Sequence, residues 1–221
     1  PENRLLARGP RMRLDAEAIR DGALRASGLL SDRVGGPSVF PYHPAGLWPE
    51  INNRPNYSRT YQQDSGEKLY RRSLYTFWKR TVPPPSMAAF DAPGREFCRV
   101  RRSRTNTPLQ AFVMLNDPQF IEAARHLASR MIHEAGSAPQ QRIAYGFQRC
   151  LARDPTAEES GVLAATFEER YAQYRQDVVA ATRTVNVGDS PLDQSVDTAE
   201  LAAWTTVARM ILNLSEFVTK P

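Results

Sequence analysis

The sequence predicts a mainly α-helical fold with a small β-hairpin and long ordered loops. Three observations predict it. From Pro108 onward, apolar residues recur at three- and four-residue spacing behind helix-capping residues. Between Val39 and Tyr61 that period vanishes, and Pro41, Pro44, Pro49 and Pro55 are expected to break any helix, leaving a long ordered loop. From Leu69 to Thr81, strand-prone Tyr70, Tyr75, Phe77 and Trp78 are interleaved with Arg71, Arg72 and Lys79.

In order along the chain, Arg13 to Leu30 reads as a helix with Asp15 as N-cap and Ile19, Ala23, Ala26 and Leu30 on one face. Gly35 and Gly36 are expected to end it. Leu69 to Thr81 reads as a short strand paired with Tyr57 to Gln62, stopped by Pro83, Pro84 and Pro85. Ser86 then begins a helical turn through Phe90. Thr107 caps a helix that has Pro108 at its first position and runs to Leu115. Asp117, followed by Pro118, caps the next, with Phe120, Ala124, Leu127 and Met131 inward and Gly136 at its end. Pro139 to Leu151 is a third, and Thr156 with Glu159 forms a capping box for a fourth, lined by Leu163, Phe167, Tyr171 and Tyr174. Asn186 to Asp197 reads as a loop, and Leu201, Trp204, Ala208, Ile211 and Leu212 build the last helix.

At 221 residues, 41% of them hydrophobic, the chain is large enough to bury a core. We expect one domain over 1–221, with a loop-rich basic half over 1–107 and a helical half over 108–221. No apolar run is long enough to cross a bilayer. The first residue is Pro1 and no signal peptide is visible, so the sequence reads as a fragment of a longer protein. The net charge is +5, but Lys68 to Arg104 alone carries +8, leaving −3 on the remainder. Neither CxxC nor HExxH occurs, and His43, His126 and His133 have no ligand spacing, so no metal site is expected. Basic residues among aromatics are compatible with single-stranded nucleic acid, yet no nucleic-acid motif is present and no such partner is expected.

The most informative stretch places Arg99, Arg101, Arg102 and Arg104 within six residues, just before Thr105-Asn106-Thr107-Pro108. Planar guanidinium forks suit carboxylate, sulfate or phosphate. Together with Arg72, Lys79, Arg80 and Asn106 they make a candidate anion-binding surface. The competing reading is structural: Asp91, Glu96, Asp117 and Glu122 are available to neutralise the arginines within the fold. Asp91 is also a candidate acid–base group, whereas Asp117 is most simply a helix cap. Asn106 either orients its loop or offers its amide to a ligand at the helix N-terminus.

The runs Arg72-Ser73-Leu74-Tyr75-Thr76-Phe77-Trp78-Lys79-Arg80-Thr81, Phe90-Asp91-Ala92-Pro93, Arg101 to Ala111 and Leu115-Asn116-Asp117-Pro118 together resemble a known family. It is the C-terminal domain of planctomycete-type cytochrome-C-domain proteins, itself a domain of unknown function. Glu200 to Thr205 and Asn213 to Phe217 also resemble its end, with Ser215 where the family pattern has Asp. The resemblance implies an exported, periplasmic or cell-surface protein. It implies haem c elsewhere in the same polypeptide and no cofactor in this fragment. The preceding domains are then partners, and acidic or sulfated polysaccharide is a further candidate. In an exported protein Cys98 and Cys150 either pair or remain buried thiols. A bridge would close a loop of about 50 residues and contribute roughly 3–4 kcal/mol. The function expected is an uncharacterised module presenting an anion-binding surface, for acidic polysaccharide or for docking a haem module. The alternative is a glycan-active oxidoreductase or hydrolase with Asp91, Arg102, Arg104 and Asn106 in its site.

Overall fold

A computed structural model describes residues 11–51 and 60–220. Its regular structure is helical apart from one two-stranded antiparallel sheet, as the sequence predicts. The helices are α1 (Ala16–Ser27), α2 (Leu47–Ile51), α3 (Pro85–Ala89), α4 (Pro108–Asn116), α5 (Pro118–Glu134), α6 (Pro139–Leu151), α7 (Ala157–Gln176), α8 (Val178–Val185) and α9 (Thr198–Leu212). The strands β1 (Met12–Arg13) and β2 (Thr219–Lys220) pair Met12 with Lys220 and Arg13 with Thr219. None of the described helices is long and apolar enough to cross a membrane.

Local signals set most helix ends. Asp117 accepts from the Gln119 N–H to start α5, and Thr156 and Glu159 exchange capping bonds at α7. Asp177 separates α7 from α8, accepting from the Ala180 N–H. The first helix is shorter than Arg13 to Leu30 because Gly28, in the left-handed region (φ 81°), already caps it and donates its N–H to the Arg25 carbonyl. α6 ends on the non-glycine Ala152 at φ 55°. Ala152→Gly is therefore expected to raise stability by about 0.5–1 kcal/mol in urea denaturation, because the left-handed strain exceeds the added chain entropy.

The core is built on α5 and α9. α5 also packs against α1, α4 and α6, while α9 packs against α7 and α8. Phe120, Leu127, Met131, Ile143, Phe147 and Ile211 are almost fully buried there. Trp204 is fully buried and stacks on Phe167 with ring centroids 4.3 Å apart. Across α1, Leu24, Leu69 and Tyr70 form a smaller cluster under the loops.

The strand expected over Leu69 to Thr81 is not formed, and of its expected partner Tyr57 to Gln62, residues 57–59 lie outside the described residues. The segment instead makes two 3-10 turns, Gly66–Tyr70 and Ser73–Tyr75, with isolated bridges from Arg71 to Ser31 and from Thr76 to Val39. The physical reason lies in α1. Arg20, 3% exposed, donates to the carbonyls of Leu69 (2.6 Å) and Arg71 (2.9 Å), to Ser73 Oγ (3.2 Å) and to Gln119 Oε1 (2.7 Å). The neighbouring Asp21 accepts from the Ser73 N–H at 2.8 Å and its Oγ–H at 2.6 Å. Two adjacent charged residues of a helix thus satisfy backbone groups that a ladder would otherwise pair.

Candidate anion-recognition site

The four arginines of the strip divide into two kinds. Arg102 turns back on α1 and makes a two-pronged bond to Glu17 (2.7 and 3.1 Å), with Asp15 at 3.6 Å. Arg104 reaches Asp15 at 4.0 Å and Met12 Sδ at 2.9 Å. Burial pushes the Glu17 carboxyl up, but the Arg102 bonds outweigh it and hold the group below its ordinary value. Arg99 and Arg101 are exposed and have no bonding partner among the described residues. They sit with Phe97, 80% exposed, and the fully exposed Val100 on a loop projecting from the body.

The remaining candidates fall apart spatially by role. Arg72 and Arg80 are exposed, and Lys79 lies 4.2 Å above the Trp48 ring. Arg71, although within the basic segment, is buried and donates to the carbonyls of Arg33 and Gly35 while lying over the Tyr75 ring. Asp91 does not face the arginine forks. At φ 61° it accepts from both the N–H (2.6 Å) and Oγ–H (2.8 Å) of Thr105, which fastens the loop just before α4. Asn106 accepts from Arg13 and belongs to a separate cavity at the start of α4.

Three of the four carboxylates expected to neutralise the strip do other work, and the fourth, Glu96, is exposed. Asp117 caps α5, Asp91 clasps Thr105 and Glu122 lies inside the core, so the strip's own partners are Asp15 and Glu17, more than 80 residues away in sequence. Cys98 and Cys150 are both unbonded; Cys98 is exposed, and burial pushes the Cys150 thiol up to about 12. No group of three metal-ligating side chains occurs among the described residues.

The sequence reading missed a buried polar centre around Glu122, which is 1% exposed. Its carboxylate accepts from Tyr42 (2.8 Å), Tyr70 (2.9 Å), the Ser190 N–H (2.8 Å) and Ser190 Oγ (2.6 Å), with Arg125 at 3.6 Å. Gly188, at φ 103°, lies so close that a Cβ would stand 2.3 Å from the Glu122 carboxyl carbon. Ser190 Oγ also meets Arg125 (2.5 Å) and His126 Nε2 (2.7 Å). That pairing resembles a nucleophile and its base, but the hydroxyl is already committed to the carboxylate and receives from the guanidinium. Burial lowers the His126 pKa and keeps the imidazole neutral. Further along, Asp193 accepts from Ser129 (2.8 Å) and His133 (2.6 Å). Glu122, Arg125, His126, Ser129 and His133 thus form one polar stripe on α5 that the 186–197 loop covers. Their helical spacing was the available signal.

A family model described as PSD1, protein of unknown function (DUF1553), matches residues 1–167 of this chain. No curated protein and no solved structure matches it.

Proposed function

We propose that this chain, which belongs to the PSD1 (DUF1553) family, is a recognition module whose projecting loop grips acidic groups on a polysaccharide. The observation that carries this reading is the pair Arg99 and Arg101: two charged forks presented to solvent, with no partner of their own among the described residues. Arg102 supports them. Its bond to Glu17 is partly exposed, a setting in which ion pairs contribute only about 0.2–1 kcal/mol, so an incoming sulfate or carboxylate can compete for it. Asp91, the acid–base group of the glycan-active enzyme reading, uses its Oδ2 to hold the Thr105 N–H and hydroxyl, which ties it to the loop before α4. The module would belong to an exported polypeptide with a haem c domain preceding it. Docking onto that haem module is the second reading, favoured by the exposed Phe97 and Val100 flanking the arginines.

The test is retention of the chain on dextran sulfate and polygalacturonate against neutral dextran. Retention on the acidic polymers is expected, weakening as salt is raised. The Arg99→Ser/Arg101→Ser double variant should lower affinity at least about tenfold with unchanged circular dichroism. Equal retention on neutral dextran, or a variant that binds as well as the parent, would overturn the polysaccharide reading. Binding instead to a separately produced haem module, lost in the same variant, would favour docking.

A further inference from the structure

α4 is a helix without a single charged side chain. Its inner face packs toward α3, α5 and α9, where Gln110 and Met114 are buried. Its outer face is apolar as well. Leu109 is 58% exposed, Phe112 is 63% exposed, and Leu115, three residues further on, is half-buried. The polar groups at its C-terminal end are already used: Asn116 donates its amide to the Phe112 carbonyl at 2.8 Å, and Arg209 donates to the Leu115 carbonyl. Leu115 also lines a groove of about 480 Å³ shared with α6, α7 and α9. Leu163 and Ile211 are buried in its floor, and the exposed Val162 stands at its edge. The volume equals about sixteen waters at about 30 Å³ each, room for one aromatic side chain. A contiguous apolar surface of this kind on a folded protein marks a place of association.

Shape and charge select the partner. Knob and hole lie next to each other on one surface, which is what a two-fold contact requires, because each copy must offer both. A charged helix would repel itself across the axis, and α4 has no charge to do so. Its two ends do differ in sign. The run from Arg99 to Arg104 precedes the N-terminal end. At the C-terminal end Glu158 borders the groove, exposed and without a bonding partner among the described residues. Its neighbour Glu159 is paired with Arg153 at 2.7 Å. Antiparallel pairing of two α4 helices sets the basic end of each toward the Glu158 of the other, and opposes the two helix dipoles. Parallel pairing would set like charges together.

We propose that this face binds a second copy of the chain: two α4 helices pack antiparallel across a two-fold axis, and the Phe112 ring of each copy enters the groove of the other. The contact is small, so the dimer is weak, with a dissociation constant of about 10–100 μM. It does not rest on the polysaccharide reading, since its apolar residues lie on α4, α7 and α9 and not on the projecting loop.

The test is sedimentation equilibrium of the 221-residue chain from about 1 μM to about 1 mM. A monomer–dimer equilibrium is expected. Phe112→Asp and, separately, Val162→Glu should each weaken it at least about tenfold, with unchanged circular dichroism because both side chains are exposed in the monomer. Glu158→Lys should weaken it about threefold at low salt. A chain that stays monomeric up to about 1 mM overturns the proposal and leaves the face to a different protein. So does a dimer that Phe112→Asp leaves intact, and a dimer that Glu158→Lys tightens overturns the antiparallel arrangement. The Arg99→Ser/Arg101→Ser variant should dimerise like the parent whether or not it has lost polysaccharide binding. Loss of the dimer in that variant would also overturn the proposal, by moving the contact to the loop.

Discussion

Glu122→Ala is expected to destabilise the protein by about 3–5 kcal/mol, a large fraction of the total stability of a domain this size. The carboxylate receives Tyr42, Tyr70, the Ser190 backbone and the Ser190 hydroxyl, and it faces Arg125, which is itself almost fully buried. Removing it strands all of these donors together and leaves a buried cation without its counter-charge. Three chain segments meet at this one side chain: the loop after α1, the first 3-10 turn and the 186–197 loop. The loss should therefore appear as a lower urea midpoint, and also as faster hydrogen exchange at the Ser190 amide. Glu122→Gln should fall between the two, since it keeps one acceptor oxygen but not the charge. An alanine variant within about 1 kcal/mol of the parent would show that the segments hold together without this centre.

Arg20→Met is expected to cost about 3 kcal/mol or more and to act on one half of the molecule first. Methionine preserves the aliphatic packing of α1 while deleting donors to Leu69, Arg71, Ser73 and Gln119. Two backbone carbonyls and a buried amide oxygen are then left without partners in a site that is 3% exposed in the parent. The 3-10 turns should loosen before the helical core does. Hydrogen exchange at Tyr75 and Thr76, whose amides bond to Arg72 and Ser73 across the second turn, should accelerate more than exchange in α9. Uniform acceleration across both regions would mean that Arg20 serves the whole fold rather than this segment.

The legible parts of the sequence were those whose physics is local. Thr156 and Glu159, Asp117 with Pro118, and the period of Ile143 and Phe147 each operate within one or two turns, and the helices form where those signals place them. The stretch from Leu69 to Thr81 was misread because strand propensity records how a side chain suits a pleated surface, whereas here Arg20 and Asp21, some 50 residues earlier, decide the backbone. For the candidate site, the sequence located the exposed Arg99 and Arg101 and singled out Asn106. It did not show that Arg102 would be spent on Glu17, because a helix N-terminal carboxylate 85 residues away leaves no trace beside the arginine run. The burial of Gln110, and of Glu122 away from the arginines it was expected to pair with, escaped notice for a related reason. A polar residue on a helix reads as exposed until the neighbouring segments are seen to bury it.

The short pairing of β1 with β2 has a mechanical consequence. Met12 lies opposite Lys220 and Arg13 opposite Thr219, with the Leu14 N–H bonded to the Val218 carbonyl behind them at 3.0 Å. The two strands are antiparallel, so a tension pulling residues 11 and 220 apart meets these rungs one after another instead of all together. The clasp should peel like a zipper at low force, and only after it opens would the load reach α1 and α9, each of which packs on α5.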